Sequence, residues 1–458
     1  MTSRIVSLSP DHSNMDAESQ TQAQKPEDMD QKKEEPVQPI RQDAFGDEEF
    51  AEVKYKVLKW WQGGLLMVAE TISLGILSLP AAVGTVGLAP GLAILISMGI
   101  FASYNGYVIG QIKLRFPHIS SMSDAGEVLL GPFGRELLNA AQILLLIFIM
   151  ASHILTFTVA LNVITGHATC SIVFGVVGAV ISCLLSLPRT LEKVSWLSLV
   201  SFVSVFSAVM VTMVSIGIIN PPSTWVAAKH TDLVTGFGGV TNMVFAYASH
   251  NSFFTFIAEL SDPREFPKAL ALLQSIDISL YIVAAVVIYY FAGEQVTSPA
   301  LGSVSPLISK VAYGIALPTI VIAGVINGHI AAKAIYLRMF TDRIHKSDWI
   351  AVGSWIGIMV VLWTIAWIIA EAIPVFNDLI GLIASLFLSW FTFGLPGVFW
   401  LYMNKGMWFL SRGKIFLTVV NVSSIIIGLV VCALGLYASG VAIHQNPAGA
   451  VFSCGARS

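Results

Sequence analysis

From residue 56 onward the chain is a succession of apolar runs, most of about 20 residues or more, separated by short polar stretches. A bilayer core about 30 Å thick is crossed by about 20 apolar residues in helical form. On that measure, membrane-crossing helices are expected at about 57–83, 88–111, 136–164, 170–188, 194–219, 236–258, 270–292, 306–337, 349–370, 374–401 and 414–440. The segment 116–135 is polar and Gly-rich, and reads as a surface-lying piece or a loop between the second and third spans. The expected fold class is all-α integral membrane with about 11 transmembrane helices, in one domain over 53–440 followed by a short external tail, 441–458.

Two spans depart from the pattern of a lipid anchor. Span 1 contains Ala69-Glu70-Thr71-Ile72-Ser73-Leu74-Gly75-Ile76-Leu77-Ser78-Leu79-Pro80, which gathers a carboxylate, hydroxyls and a glycine near mid-depth. Span 6 contains Phe245-Ala246-Tyr247-Ala248-Ser249-His250-Asn251-Ser252 and opens with Gly236, Gly238 and Gly239. Each is the first of a group of five, repeat one at about 57–219 and repeat two at about 236–401, with helix 11 at about 414–440. Because five is odd, the two groups enter the membrane from opposite sides, as an inverted repeat requires. Interrupted helices at matching places in two halves point to a transporter binding site. Unwound backbone exposes N–H and C=O groups that lipid cannot satisfy, whereas a cavity or ligand can. Half-helix amino ends favour a carboxylate and half-helix carboxyl ends favour an ammonium, so a zwitterionic amino acid suits both. Polar residues that merely hold helices together are the alternative. Two breaks at matched positions weigh against it. The candidate substrate-binding residues are Thr71, Ile72, Ser73, Leu74 and Gly75 from span 1, and Phe245, Ala246, Tyr247, Ser249 and His250 from span 6.

Composition agrees with a membrane chain. Hydrophobic residues make up 55% and charged residues 12%, against about 25% charged in soluble domains. Residues 1–52 hold thirteen acids and five bases and few aromatics, and are expected to form a disordered acidic cytosolic tail. No cleavable signal peptide is visible there, so insertion is expected to begin at span 1. With a cytosolic amino terminus, sixteen Lys and Arg fall on the inner side and three, Lys229, Lys310 and Arg457, on the outer side. That is the positive-inside bias, and it places the carboxyl terminus outside. The expected location is the plasma membrane, with a vacuolar membrane as the alternative. The four cysteines show no metal or redox spacing. Cys170 and Cys454 both fall on the external side, where two unrelated thiols are expected and a bridge between them is the alternative. The triplet Asn421-Val422-Ser423 lies inside a span, where it cannot serve as a glycan acceptor.

The residues at the two breaks also carry a family resemblance. Ile72-Ser73-Leu74-Gly75-Ile76-Leu77-Ser78-Leu79-Pro80-Ala81-Ala82 resembles the first-helix motif of the amino acid/auxin permease family. Phe245-Ala246-Tyr247-Ala248-Ser249-His250, followed by Glu259-Leu260-Ser261-Asp262-Pro263 and Phe266-Pro267-Lys268-Ala269-Leu270, resembles that family's sixth helix and following loop. The likeness runs from about 55 to 440. Within the family, Ala69-Glu70-Thr71-Ile72-Ser73-Leu74-Gly75 is similar to fungal neutral amino acid permeases of the Neurospora methyltryptophan-resistance type. The resemblance implies a LeuT-like fold of two inverted five-helix repeats plus one extra helix. It also implies secondary active transport of amino acids, commonly proton-coupled in fungi. Sodium-coupled relatives borrow a hydroxyl from the eighth helix, and here Ile320 to Phe340 contains no Ser or Thr. Proton coupling is therefore expected.

The other intramembrane polar residues need a cavity or a partner. Glu70 reads either as the group that takes up the coupling proton or as a fixed charge at the break. His329 and Lys333 share a helix face as i and i+4 and join Glu70 as proton-coupling candidates; Lys333 also reads as snorkelling to the inner surface. His250 is expected to hydrogen-bond the unwound part of span 6, and His153 to face the bundle or a polar neighbour. Ser195, Ser198, Ser201, Ser204 and Ser207 read as small residues that let span 5 pack closely, or else as a hydrated path. Asp277 is expected to turn to a polar partner, and Asp378 to face the external vestibule.

These observations predict a secondary active transporter, a proton-coupled symporter of neutral aliphatic and aromatic amino acids. The alternatives are an amino acid sensor and a vacuolar exchanger or exporter. The expected partners are a neutral amino acid, a proton and the lipid bilayer, with no nucleic acid, metal or cofactor. No metal triad, paired carboxylates on adjacent spans or nucleophile arrangement suggests an enzyme.

Overall fold

The computed structural model describes residues 56, 58–188, 194–219, 225–340, 348–445 and 451–455. The acidic tail 1–52, the side chain of Ser195 and the cations Lys54, Arg189, Lys193, Arg343, Lys346 and Arg457 lie outside the described residues.

The apolar runs fold as helices. The first is broken: α1 (Trp60–Thr71) and α2 (Gly75–Val86) meet at a 56° bend across Ile72-Ser73-Leu74. Gly87, with φ 93°, turns the chain into α3 (Leu88–Arg115). Then follow α4 (Met122–Thr165), α5 (Ser171–Leu185) and α6 (Val194–Ile219). The second half opens with α7 (Leu233–Ala246), a 3-10 turn at His250–Ser252 and α8 (Phe253–Glu259). Asp232 caps α7 through the Val234 and Thr235 amides, and the Thr235 bonds hold its carboxyl below the usual range. After α9 (Phe266–Ala292), α10 (Pro306–Met339) and α11 (Trp349–Ala372), the tenth span is composite. It comprises α12 (Phe376–Ile383), a π-helical segment (Ala384–Gly394) and α13 (Leu395–Met403). The last helix is α14 (Arg412–Gln445).

Among the described residues, eight spans are long and apolar enough to cross a membrane alone, and the bent α1–α2 pair makes a ninth. The other two expected places also hold helices, but shorter ones: α5, and the interrupted α7–α8 pair. The segment 116–135 is more regular than a loop. Ser121 and Asp124 form a capping box that starts α4, and the helix kinks only at Gly131, φ 66°, ahead of Pro132. A residue before proline is pushed out of the α region, and glycine accepts the positive φ this needs.

The two broken spans lie with opposite ends together, and backbone hydrogen bonds join their flanks at both ends. The start of span 1 pairs with the end of span 6: Leu58 N–H donates to Glu259 O at 3.1 Å, and Ser261 N–H to Leu58 O at 2.9 Å. At the opposite end, Leu88 N–H donates to Val226 O at 3.0 Å and Lys229 N–H to Val86 O at 2.8 Å. An inverted repeat places its first helices in this relation.

Pro318 interrupts the hydrogen-bond ladder inside α10, and α6 repairs it. Ser204 Oγ donates to Ile315 O at 2.6 Å and accepts from Thr319 N–H at 3.3 Å. Ser201 Oγ meets Thr319 Oγ1 at 2.7 Å. Two of the serines on this helix therefore bind it to α10. Cys170, ahead of α5, and Cys454, beyond α14, form a disulfide where separate thiols were expected. The two positions are 284 residues apart, and only the docking of segment 451–455 brings them together. Ser171 Oγ donates to Gly455 O at 2.6 Å, and Phe452 packs edge-on to Trp367. Asn421 is buried in α14 and donates to Tyr104 Oη at 2.5 Å, out of reach of any glycan machinery.

Candidate substrate site

The two breaks meet. A Cβ placed on Gly75 would lie 2.6 Å from Cα of Ala246, so the first turn of α2 rests on the last turn of α7 with no room for a side chain. Gly75 itself is helical. Its requirement is close approach rather than an unusual backbone conformation. From outside the contact, Tyr281 of α9 joins both breaks: its hydroxyl donates to Ala246 O at 2.9 Å and lies 3.3 Å from Thr71 O.

A cavity of about 50 Å³ lies between the breaks. Span 1 contributes Glu70, Thr71, Ser73, Leu74 and Gly75 to its wall, and span 6 contributes Phe245, Ala248, Ser249 and Asn251. The remainder comes from Ile149 and His153 on α4, Ala323 and Asn327 on α10, and Leu388 on the π-helical segment. The hydroxyls of Ser73 and Ser249 are buried and have no hydrogen-bond partner. His153 is held by Nδ1, which donates to Ile320 O at 2.8 Å and leaves Nε2 as the acceptor of the neutral ring. Gly324 allows this, since a Cβ there would sit 3.0 Å from Cβ of His153. Asn327 donates to Ala323 O at 2.8 Å. Glu70 is the one carboxylate in the wall, and neither Lys nor Arg is present. The lining thus offers hydroxyl, amide, imidazole and carboxyl groups together with the apolar side chains of Ile149, Leu74, Phe245 and Leu388.

Residues 56–440 match the family described as "Transmembrane amino acid transporter protein". The chain belongs to that family. It is a multi-pass membrane protein of an amino acid transporter family and not an enzyme. It is 36% identical to the N amino acid transport system protein of Neurospora crassa over 403 residues, 84% of this chain and 85% of that one. A protein of Gibberella moniliformis described as a transmembrane transporter is 28% identical, covering 90% of this chain and 92% of its own length. Among solved structures, a Na+-coupled sialic acid symporter in a substrate-bound outward-open state superposes with a TM-score of 0.51 at 14% identity. That superposition covers 84% of this chain and 90% of the symporter, and it shows the LeuT-like fold.

The cavity takes up some but not all of the residues singled out from the sequence. Eight of those residues line the cavity: Glu70, Thr71, Ser73, Leu74, Gly75, His153, Phe245 and Ser249. Ile72, Ala246, Tyr247, His250, His329 and Lys333 do not. His250 turns away to α3, where Nε2 meets Ala102 O at 2.9 Å. His329 Nε2 meets Pro188 O at 2.7 Å and the ring packs on Trp355 of α11. Lys333 is exposed, with Glu259 in its electrostatic neighbourhood. Asp277 does not find the polar partner expected of it: it is fully buried and neither oxygen is hydrogen-bonded. The sequence reading gave no place to Asn251, Asn327 or Leu388, and did not see Tyr281. Asn327 had a usable signal, an amide at mid-span in a stretch otherwise free of hydroxyls. Leu388 had none, because its inward aim depends on the π-helical register.

Proposed function

We propose that this chain is a proton-coupled symporter of neutral aliphatic and aromatic amino acids. The carrying observation is the cavity where the two breaks meet, with Glu70 as its one carboxylate and no Lys or Arg in its wall. A zwitterion's two charges find complementary ends there. The amino end of α2 favours the carboxylate, and the carboxyl ends of α1 and α7 favour the ammonium. The Ser73 and Ser249 hydroxyls are free to bond either group. A second charge on the substrate side chain would meet Ile149, Leu74, Phe245 and Leu388 and lack a partner. The relative named an N amino acid transport system protein supports amino acids as the substrate.

A volume of about 50 Å³ suits a zwitterionic head and not an aromatic side chain. Larger substrates therefore enter by displacing the apolar wall, which selects apolar side chains. The lack of Ser and Thr hydroxyls between Ile320 and Phe340 weakens a sodium mechanism and favours protons; Thr319, just before that stretch, spends its hydroxyl on Ser201. The inverted repeats at about 57–219 and 236–401, an inward amino terminus and an outward carboxyl terminus at the plasma membrane complete the reading. The Cys170–Cys454 disulfide supports that orientation, because such bonds persist on the oxidising side of a membrane.

The test is uptake of labelled amino acids by proteoliposomes holding the purified protein. An imposed inward proton gradient should drive accumulation, and leucine or phenylalanine should compete better than lysine or glutamate. Accumulation that requires sodium, or inhibition by lysine equal to that by leucine, overturns the reading.

A further inference from the structure

Outside the cavity, α9 buries a carboxyl that substrate binding does not use. Asp277 has no exposure, and neither carboxylate oxygen has a hydrogen-bond partner. The helices packed on α9 offer it no cation. Neither α2 nor α6 carries an ionisable side chain, and α1 brings Glu70, which belongs to the cavity wall. From α3 come Tyr107, Tyr104, which is bonded to Asn421, and two distant cations. Of those cations, Lys113 serves the Pro117 and Ile119 carbonyls, and Arg115 serves the Met403 carbonyl. On α9 itself Lys268 pairs with Glu265 at the far end. The ionisable groups that face Asp277 are two tyrosines: Tyr247 at the end of α7, and Tyr281 one turn along α9. Their rings touch edge-to-face with centroids 5.3 Å apart, and the Tyr247 hydroxyl has no partner.

An ionised carboxylate this deeply buried, with no counter-charge facing it among the described residues, is costly, and proteins resolve that by keeping the group neutral. We propose that Asp277 is a second proton-binding site, carrying its proton in this structure, and that Tyr281 links it to the carbonyls of both breaks. Asp277 and Tyr281 are i and i+4 and share a helix face. The Tyr281 hydroxyl already bonds Ala246 O and reaches Thr71 O, so a change of charge at Asp277 acts on the groups that hold the breaks together. The proton comes from water and returns to water, and only the O–H bond forms and breaks. This site is additional to Glu70 and stands whether or not transport is proton-driven.

Infrared spectroscopy of the lipid-reconstituted protein at neutral pH tests it, in a Glu70→Gln background that removes the cavity carboxyl. The carbonyl stretch of a protonated carboxyl is expected, and it is expected to be lost in Asp277→Asn. A carbonyl-stretch region unchanged by Asp277→Asn overturns the proposal. If Asp277→Asn does not reach the membrane, Asp277→Glu must shift the band, and a stationary band overturns it equally. The link through Tyr281 is read separately: Tyr281→Phe should keep the band but change the pH profile of counterflow. A profile identical to that of the unsubstituted protein removes Tyr281 from the role.

Discussion

Ser73 and Ser249 each bring to one cavity a buried hydroxyl without a partner, a cost the fold tolerates if a ligand supplies the missing bond. A hydrogen bond to a charged group is worth about 1.5–3 kcal/mol. Ser249→Ala should therefore raise the KM for leucine by roughly ten- to a hundredfold while membrane abundance is unchanged; an unaltered KM would place the substrate elsewhere. Glu70 lines the same cavity as its one carboxylate. Glu70→Gln fixes the neutral form and should uncouple: labelled leucine still exchanges across the vesicle, but is not concentrated against a gradient. Normal concentration by that variant removes Glu70 from coupling. The apolar wall makes a separate prediction at Leu388. Substituting Leu388→Phe fills space that a large side chain needs, and should weaken phenylalanine relative to alanine by about tenfold, within the range that small changes of pocket volume produce.

The broken spans act as elements through their contact with each other. Span 1 is bent by 56°, and its second half starts on the glycine that rests against Ala246. Overpacking a tight contact costs about 1–3 kcal/mol even in soluble cores. At Gly75 the obstruction is backbone, which cannot rotate aside. Gly75→Val should reach the membrane yet abolish transport, with Gly75→Ala intermediate; normal uptake by Gly75→Val means that the moving contact lies elsewhere. The π-helical segment has a related role. Its wider turn sets Leu388 into the cavity, and α14 packs tightly along it: a Cβ on Gly428 would lie 2.8 Å from Ser389 O. Regular α-helix through the same residues would aim a different side chain at the site.

For the whole molecule, the broken spans with opposite ends together, the family match and the LeuT-like superposition agree on a transporter architecture. If one proton moves with each neutral substrate, a potential of about 100 mV contributes about 2.3 kcal/mol. At about 1.4 kcal/mol per decade, that sustains a concentration ratio of roughly 40. Vesicles with that potential, negative inside, should approach this ratio in sodium-free buffer. Orientation has its own test. In Cys454→Ser the Cys170 thiol is released, and an impermeant maleimide should label it in intact cells; labelling only after permeabilisation reverses the topology.

The order of the apolar runs by itself determined the helical membrane class, because the bilayer's thickness and its intolerance of unpaired backbone leave few solutions. The polar interruptions at Glu70–Gly75 and Phe245–Ser252 likewise marked both breaks in advance, since two such clusters at matched positions favour a cavity over simple helix contacts. Which side chains at the breaks face that cavity was decided by the tertiary structure. Ser73 and Ser249 line it, whereas His250, equally polar and one residue away, turns to Ala102. A broken helix has no fixed period, so facing cannot be counted along it. The same limit applies to His329, whose i,i+4 relation to Lys333 is real but whose face meets Pro188 and Trp355. Contacts between distant segments were not fixed by the sequence, which at most put Cys170 and Cys454 on the same side. Cys170 with Cys454, Tyr281 with two carbonyls, and Gly75 with Ala246 are properties of how the helices pack, and local pattern carries no record of which surfaces meet.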